Sequence, residues 1–413
     1  MEPQLNTGDA YAAIKIADFR RFIYARFLFT IAIQMQSVVV GWHIYHLTRD
    51  ALSLGMIGLT EAVPFLFVAL FAGHLADIKN RKTIIINAVF LYFICIIVLF
   101  SVTTFFNREV LGGGTFPIFV IIFFTGLARG LMSPAQSALF AQLIPRELMG
   151  NASTWNSVAW QIAAVAGPAI GGLVCGFLGF SSAYGLVIFF IMLGLVFLFR
   201  VKSRPVPAKE KKETIFQSLT AGIKFVFNNQ IILSAISLDM FAVFFGGAVS
   251  VLPIFADQVL KTGAEGLGIL RAAPAIGAII MSFYQAHKPQ FRNAGRNLLI
   301  CVAGFGVTII LFAVSQNFIL SFMMLLIGGM FDNVSVIIRS TIIQLFTPDE
   351  MRGRVSSVNS IFIGSSNELG SFESGVAAKL LGLVPSVIFG GSMTLGVVGA
   401  VYKLAPKLKT LKL

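Results

Sequence analysis

Apolar residues fall in long uninterrupted runs along this chain, and polar residues are concentrated in the short stretches between them. A helix that crosses a bilayer needs about 20 mostly apolar residues. Twelve runs of that kind begin near Phe22, Leu54, Thr83, Thr115, Ala152, Ser182, Ile231, Leu267, Asn297, Phe318, Val355 and Val384. Runs such as 83–106 are apolar all round, whereas barrel strands alternate apolar and polar over about ten residues. The pattern therefore predicts twelve membrane-spanning helices. Several contain Gly or Pro, which membrane helices tolerate.

Two stretches depart from the pattern. Residues 202–214, KSRPVPAKEKKET, combine two prolines with alternating charges and predict a linker between two halves of six spans. Residues 215–228 repeat apolar positions at helical spacing and predict an amphipathic helix on the cytoplasmic membrane face. The expected organisation is an N-terminal six-helix bundle over 1–201, a cytoplasmic linker with its amphipathic helix over 202–228, and a C-terminal six-helix bundle over 229–413. The fold class is thus an all-α membrane protein of twelve transmembrane helices in two pseudo-symmetric bundles.

Composition and charge sharpen this reading. The 413 residues are 57% hydrophobic and 12% charged, against about 25% charged in soluble domains. That excludes an ordinary soluble enzyme, a disordered chain and a disulfide-rich secreted domain. The net charge of +13 raises nucleic acid as a partner, and the position of the charges decides against it. Of 31 Lys and Arg, 23 lie on the side of the predicted spans shared with the termini, 3 on the other side and 5 inside spans. By the positive-inside rule both termini are expected in the cytoplasm. The polar residues 1–20 contain no apolar core of a signal peptide, so no cleaved leader is expected. Cys95, Cys175 and Cys301 sit in apolar runs without C-x-x-C spacing and read as packing residues.

The halves repeat each other. A shift of 203 places Gly126, Pro145, Gly150 and Asn156 over Gly329, Pro348, Gly353 and Asn359, and a shift of 210 places Gly58 and Pro64 over Gly268 and Pro274. Such symmetry between membrane halves is a signature of secondary transporters with substrate bound near the midplane. Charge is swapped at equivalent positions: Glu61 lies over Arg271, and Arg129 over Asp332. The swap suggests that the halves meet through complementary charges.

The loop between the second and third spans reads GHLADIKNRK and resembles the loop motif of the major facilitator superfamily, G-x-L-x-D-R-x-G-R-K. Gly73, Leu75, Asp77, Arg81 and Lys82 match, while Ile78 and Asn80 replace an Arg and a Gly. The resemblance implies a cytoplasmic gate at Gly73, Asp77, Arg81 and Lys82. In the fifth span Gly167, Pro168, Gly171 and Gly172 are similar to the core of the superfamily's antiporter motif. The equivalent second-half segment keeps Gly370 and Gly375 but has Ser371 and Ser374. Strings such as GLTEAVPF, AEGLGILRAAPAIGA and SSNELGSFESG resemble the branch that includes the enterobactin exporter, macrolide efflux pumps and lysophospholipid transporters. That resemblance implies a multi-pass protein of the bacterial cytoplasmic (inner) membrane.

Ionisable residues within spans are costly and point to function. Glu61, Asp239 and Asp332 are the proton-coupling candidates, because a carboxylate shielded from water is suited to binding and releasing protons near neutral pH. Arg129, Arg271, Arg339, Glu368 and Asn367 are the candidate charge partners around a central cavity. The resemblance adds that Asp239 and Asp332 belong to cavity-lining spans, and that Arg129 corresponds to an arginine of the superfamily's proton antiporters. Asp332 and Arg339 are two helical turns apart on one face, which suggests an ion pair between them. Glu368 and Glu373, about 140° apart around their helix, cannot share a partner. Arg26 either meets an anionic substrate or snorkels to the cytoplasmic face. His43 and His46 share a face, but no third ligand stands nearby, so no metal site is expected.

The chain contains no G-x-x-x-x-G-K-[ST], H-E-x-x-H or G-x-S-x-G segment, so no ATP coupling and no enzyme activity of those classes is expected. The function expected is a secondary active transporter, a proton-coupled exporter of an amphipathic small molecule such as a drug or siderophore. Its partners are the small-molecule substrate, protons and the lipid bilayer, with no nucleic acid and no cofactor, and it is read as a monomer. A lysophospholipid or metal-ion transporter of the same fold, a polytopic membrane enzyme and a non-transporting sensor are the alternatives.

Overall fold

A computed structural model describes residues 9, 11–105, 115–204, 215–286, 293–348 and 351–412. Among the described residues the chain is helical throughout, without strands. Twelve helices carry the architecture. They are α1 (Ala17–Thr48), α2 (Ala51–Ile78), α3 (Arg81–Phe105), α4 (Phe116–Leu143), α5 (Met149–Phe199), α6 (Ile215–Asn228), α7 (Gln230–Gly246), α8 (Gly263–Ala286), α9 (Ala294–Val314), α10 (Phe318–Phe346), α11 (Arg352–Leu381) and α12 (Leu383–Leu404). Ten helices among the described residues are long and apolar enough to cross a membrane. The 51 residues of α5 hold two of the predicted spans, bent at Gly179, whose φ of 81° belongs to the region open to glycine. The 30-residue α11 corresponds to the run starting near Val355, but its serines, Asn367, Glu368 and Glu373 leave it too polar to count among the ten.

Helix ends follow local chemistry. Asn229 caps α7 by accepting from the backbone N–H of Ile231 and Ile232 at 3.1 and 3.2 Å, and Asn317 caps α10 through the N–H of Leu320 at 3.1 Å. Asp50 opens α2, accepting from the N–H and Oγ–H of Ser53 at 2.9 and 3.0 Å. Beyond α7 the chain continues through a 3₁₀ turn at Ala248–Val251 and a π turn at Phe255–Val259.

The chain forms two compact units. One comprises 1–40 with 63–210, and the other 41–62 with 211–413. The end of α1 and the start of α2 therefore belong with the second unit. Residues 205–214, most of the expected linker, lie outside the described residues, as does Arg108. The amphipathic helix α6 is present, and its apolar stripe has a protein partner: Val226 and Phe225 pack with Ile232 and Ile236 of α7 and with Val355 and Val358 of α11. Ile223 and Phe227 of α6 remain exposed.

Each unit shows the same close seams. In the first, a Cβ on Gly167 of α5 would stand 3.0 Å from the Ile31 carbonyl of α1, and one on Gly171 would stand 3.1 Å from Met35 Cα. In the second, a Cβ on Gly370 of α11 would stand 2.8 Å from the Phe244 carbonyl of α7. Small residues allow such backbone approach in helix pairs that lack a hydrophobic driving force.

Candidate functional site

The second unit encloses a polar cluster. Asp239, in the middle of α7, and Arg339, on α10, form an ion pair with side chains only 10% and 5% exposed. The expected pair was Asp332 with Arg339. Two turns of helix separate those residues by about 10 Å along the axis, and Arg339 instead reaches across to the neighbouring helix. Asp332 is exposed, and it lines a cavity of about 10 Å³ with Asp239, Ser335, Cys301 and Phe305. That volume is at the lower limit for one water. Ser335 is 2% exposed, and its Oγ has no partner among the described residues. A buried hydroxyl without a partner costs about 1–3 kcal/mol, so this cavity suits a bridging water.

A second group in the same unit joins Glu61, Arg271 and Glu368. Arg271 on α8 lies in the electrostatic field of both carboxylates, and its Nη1 stands 4.0 Å from where a Cβ on Gly41 would sit. The arrangement follows from tight packing of α2 on α11: a Cβ on Gly58 would meet Ser371 Cβ at 2.7 Å and the Glu368 carbonyl at 2.8 Å. Asn367 is exposed and donates its amide to the Ile363 carbonyl one turn back, at 2.9 Å. Glu373 is half-buried on another face of α11. In the first unit Arg129 is half-buried on α4.

Sequence reasoning missed a third cluster in the second unit. Tyr45 donates its hydroxyl to Asp257 Oδ2 at 2.8 Å and accepts from Gln258 Nε2 at 3.2 Å. Arg49 pairs with the same Asp257 and lies 4.9 Å from the centre of the Tyr45 ring. Arg49 has a φ of 52°, a left-handed residue that ends α1 and turns the chain toward α2. Lys379 of α11 adds a pair to Asp50 at 3.5 Å. The available signal was Asp257 itself, an acid at the far end of an apolar run. Its partner 208 residues away is a matter of tertiary structure.

In the first unit the residues of the loop motif stand at the end of α2 and the start of α3. Gly73 and Asp77 belong to α2, and their side-chain placement lies outside what is described. Arg81 donates to the Ala138 carbonyl of α4 at 3.2 Å. Lys82 donates to the carbonyls of Phe199 and Val201 at 2.9 and 2.7 Å, a cation at the end of α5 where carbonyls are left unpaired. Asn80, in place of the motif's glycine, caps α3 through the N–H of Lys82 at 3.0 Å. Pro168 and Gly172 are buried beside the Gly167 and Gly171 seam.

The model of the transmembrane secretion effector family matches residues 8–412. The enterobactin exporter EntS of Shigella boydii serotype 18 (strain CDC 3083-94 / BS512) is 27% identical over 347 residues, covering 82% of this chain and 80% of that protein. The enterobactin exporter EntS of Escherichia coli O1:K1 / APEC is 26% identical over the same length and shares. Among solved structures, a POT family transporter in complex with 5-aminolevulinic acid superposes with a TM-score of 0.74 at 14% identity, covering 94% of this chain and 96% of that one. A bacterial homolog of the human lysosomal transporter Spinster, inward-facing and unoccupied, gives 0.73 at 15% identity over 95% and 97%. At these identities the structures show the fold alone. The chain belongs to the transmembrane secretion effector family of the major facilitator superfamily, a family of membrane transporters.

Proposed function

We propose that this protein exports a small amphipathic molecule of the siderophore class by alternating access, driven by protons entering against the cargo. It acts as a monomer of two six-span halves, 1–201 and 229–413, joined by the segment 202–228. It resides in the bacterial cytoplasmic membrane with both termini inside, as the distribution of 23 basic residues against 3 favours.

The observation that carries the coupling is the buried Asp239–Arg339 pair beside the cavity of Asp332 and Ser335. A proton taken up from the outer side reaches exposed Asp332 and passes by way of the Ser335 cavity to the Asp239 carboxylate. Neutralising Asp239 leaves Arg339 as a buried cation without its counter-charge, a state costing about 3–5 kcal/mol. Loaded and unloaded proteins thus favour different packings of α7 against α10, and that differential is what couples an ion to a conformational change. Glu61, Arg271 and Glu368 form the second charged joint of the cycle. Arg81 and Lys82, with Gly73 and Asp77, form the cytoplasmic gate, and Gly167, Pro168, Gly171 and Gly172 form a close-packed seam in the first half. Enterobactin, the cargo for which the relatives are named, supports the siderophore class.

The test is enterobactin movement in proteoliposomes under an imposed pH gradient. Gradient-driven accumulation by the native chain is expected. Asp239→Asn is expected to lose accumulation while retaining counterflow exchange, and Asp332→Asn to slow accumulation. Accumulation unchanged in both variants refutes the coupling scheme. A native chain that moves no enterobactin refutes the siderophore class.

A further inference from the structure

We propose that Arg26, Asn156 and Trp160 of the first unit form a binding site for an aromatic anion, the acidic aryl end of the exported molecule. This deepens the exporter reading and rests on it for the ligand's biological role, although the binding itself does not require transport.

Arg26 stands on α1 nine residues beyond its start, about 13 Å along the axis. It is half-buried. Among the described residues its guanidinium meets neither a carboxylate nor a hydrogen-bond acceptor. A desolvated cation without a counter-charge is costly, and in membrane proteins such groups mark ligand pathways. Arg26 lines a shallow groove between α1 and α5 that is open on one side and encloses no space for even one water, together with Thr30, Asn156 and Trp160. The Asn156 Oδ1 is buried and has no partner among the described residues, and Trp160 leaves 53% of its surface exposed. The groove therefore offers a forked cation, an amide ready to bond a hydroxyl and an aromatic face. Arginine pairs with carboxylates through two parallel bonds, and Trp stacks on rings.

The internal repeat shows what is missing. The Gly167 seam faces the Ile31 carbonyl and the Gly370 seam faces the Phe244 carbonyl. That register places Arg26 on Asp239, while the shift of 203 places Gln136 on Arg339. In the second unit these positions hold the Asp239–Arg339 ion pair. In the first they hold Arg26 and a buried, neutral Gln136. Among the described residues the first unit supplies no such counter-charge, and the ligand's anion takes its place.

The test uses the full chain in phosphatidylcholine nanodiscs, without a gradient, titrated calorimetrically with salicylate. The native chain is expected to bind salicylate. Salicylamide, which lacks the charge, and cyclohexanecarboxylate, which lacks the aromatic ring, are expected to bind about tenfold more weakly. Arg26→Gln is expected to lose about tenfold in salicylate affinity. Asn156→Asp supplies Arg26 with an internal counter-charge, and is expected to abolish salicylate binding with a melting temperature no lower than that of the native chain. The inference is overturned if the native chain fails to bind salicylate, if either variant binds it as the native chain does, or if salicylamide binds equally. It is also overturned if phosphatidylglycerol in the nanodisc displaces salicylate from the native chain, since the site then belongs to a lipid headgroup. Failure of proton-driven export leaves every one of these binding results standing, so the two readings fail separately.

Discussion

Asp239 and Arg339, one hundred residues apart in the chain, form an ion pair between α7 and α10 with both side chains at or below 10% exposure. Removing either partner leaves the other charge buried alone, which costs about 3–5 kcal/mol, whereas replacing both with apolar groups of similar size is often neutral or better. Asp239→Asn and Arg339→Gln are each expected to melt well below the native chain in detergent. The double change Asp239→Leu with Arg339→Met is expected to recover most of that loss without recovering gradient-driven transport. A double variant that still accumulates cargo would assign the pair to stability alone.

Glu61 and Arg271 belong to one electrostatic group with Glu368. Glu61→Arg and Arg271→Glu place like charges together and are each expected to abolish transport. The combined reversal restores opposite charges and is expected to recover part of the activity. Transport assays on the three variants, normalised to membrane expression, check this. No recovery in the reversed pair would sink the pairing.

Gly171 brings α5 onto α1, where a Cβ would lie 3.1 Å from Met35 Cα and 3.2 Å from its carbonyl. Gly171→Leu drives the two helices apart and is expected to cost about 1–3 kcal/mol, as overpacking does. Gly150, where an added Cβ meets nothing within 4 Å, is the control, and Gly150→Ala is expected to melt as the native chain does. Melting curves in the same detergent compare the two. Equal destabilisation would show that the seam is not what the glycine serves.

Asp50 joins two hydrogen bonds from Ser53 to an ion pair with Lys379. Burial, the largest single influence, pushes its carboxyl up, but the Ser53 bonds and the Lys379 charge together outweigh it and hold the carboxyl below the ordinary carboxylate range. A depressed native value means stability that is fully present above the unfolded value, near 4, and is lost as pH falls through the lower native one. Asp50→Asn is therefore expected to reduce the melting temperature by the same amount at pH 6 and pH 8, and by less at pH 3. A deficit that grows toward pH 3 would contradict this.

Much of the architecture was legible in the sequence because a bilayer imposes a rule on every residue of a span. Run length marked the helices, and the shift of 203 that aligned Asn156 with Asn359 reappears as matched buried amide oxygens in the two units, neither with a partner among the described residues. The seams of Gly167 and Gly370 likewise follow from small residues spaced along one helix face. The helix count was less direct. One helix, α5, carries two runs across the bend at Gly179, and α11 is long enough for a span yet polar.

Partner choice was legible only in part. Periodicity placed Asp332 and Arg339 on one face and suggested that they pair, but a side chain cannot span two turns, and Arg339 found Asp239 on another helix. Tyr45 and Asp257 lie 212 residues apart and carried no mark of each other. What the sequence determined by itself was which segments are helical and apolar, and which few positions carry a charge among them, because burial in lipid is decided residue by residue. What only the tertiary structure decided was how those charges are matched, because an ion pair depends on which helices pack together and in what register. That matching leaves Asp239 paired and Arg26 without a partner among the described residues, a difference that no pattern along the chain expresses.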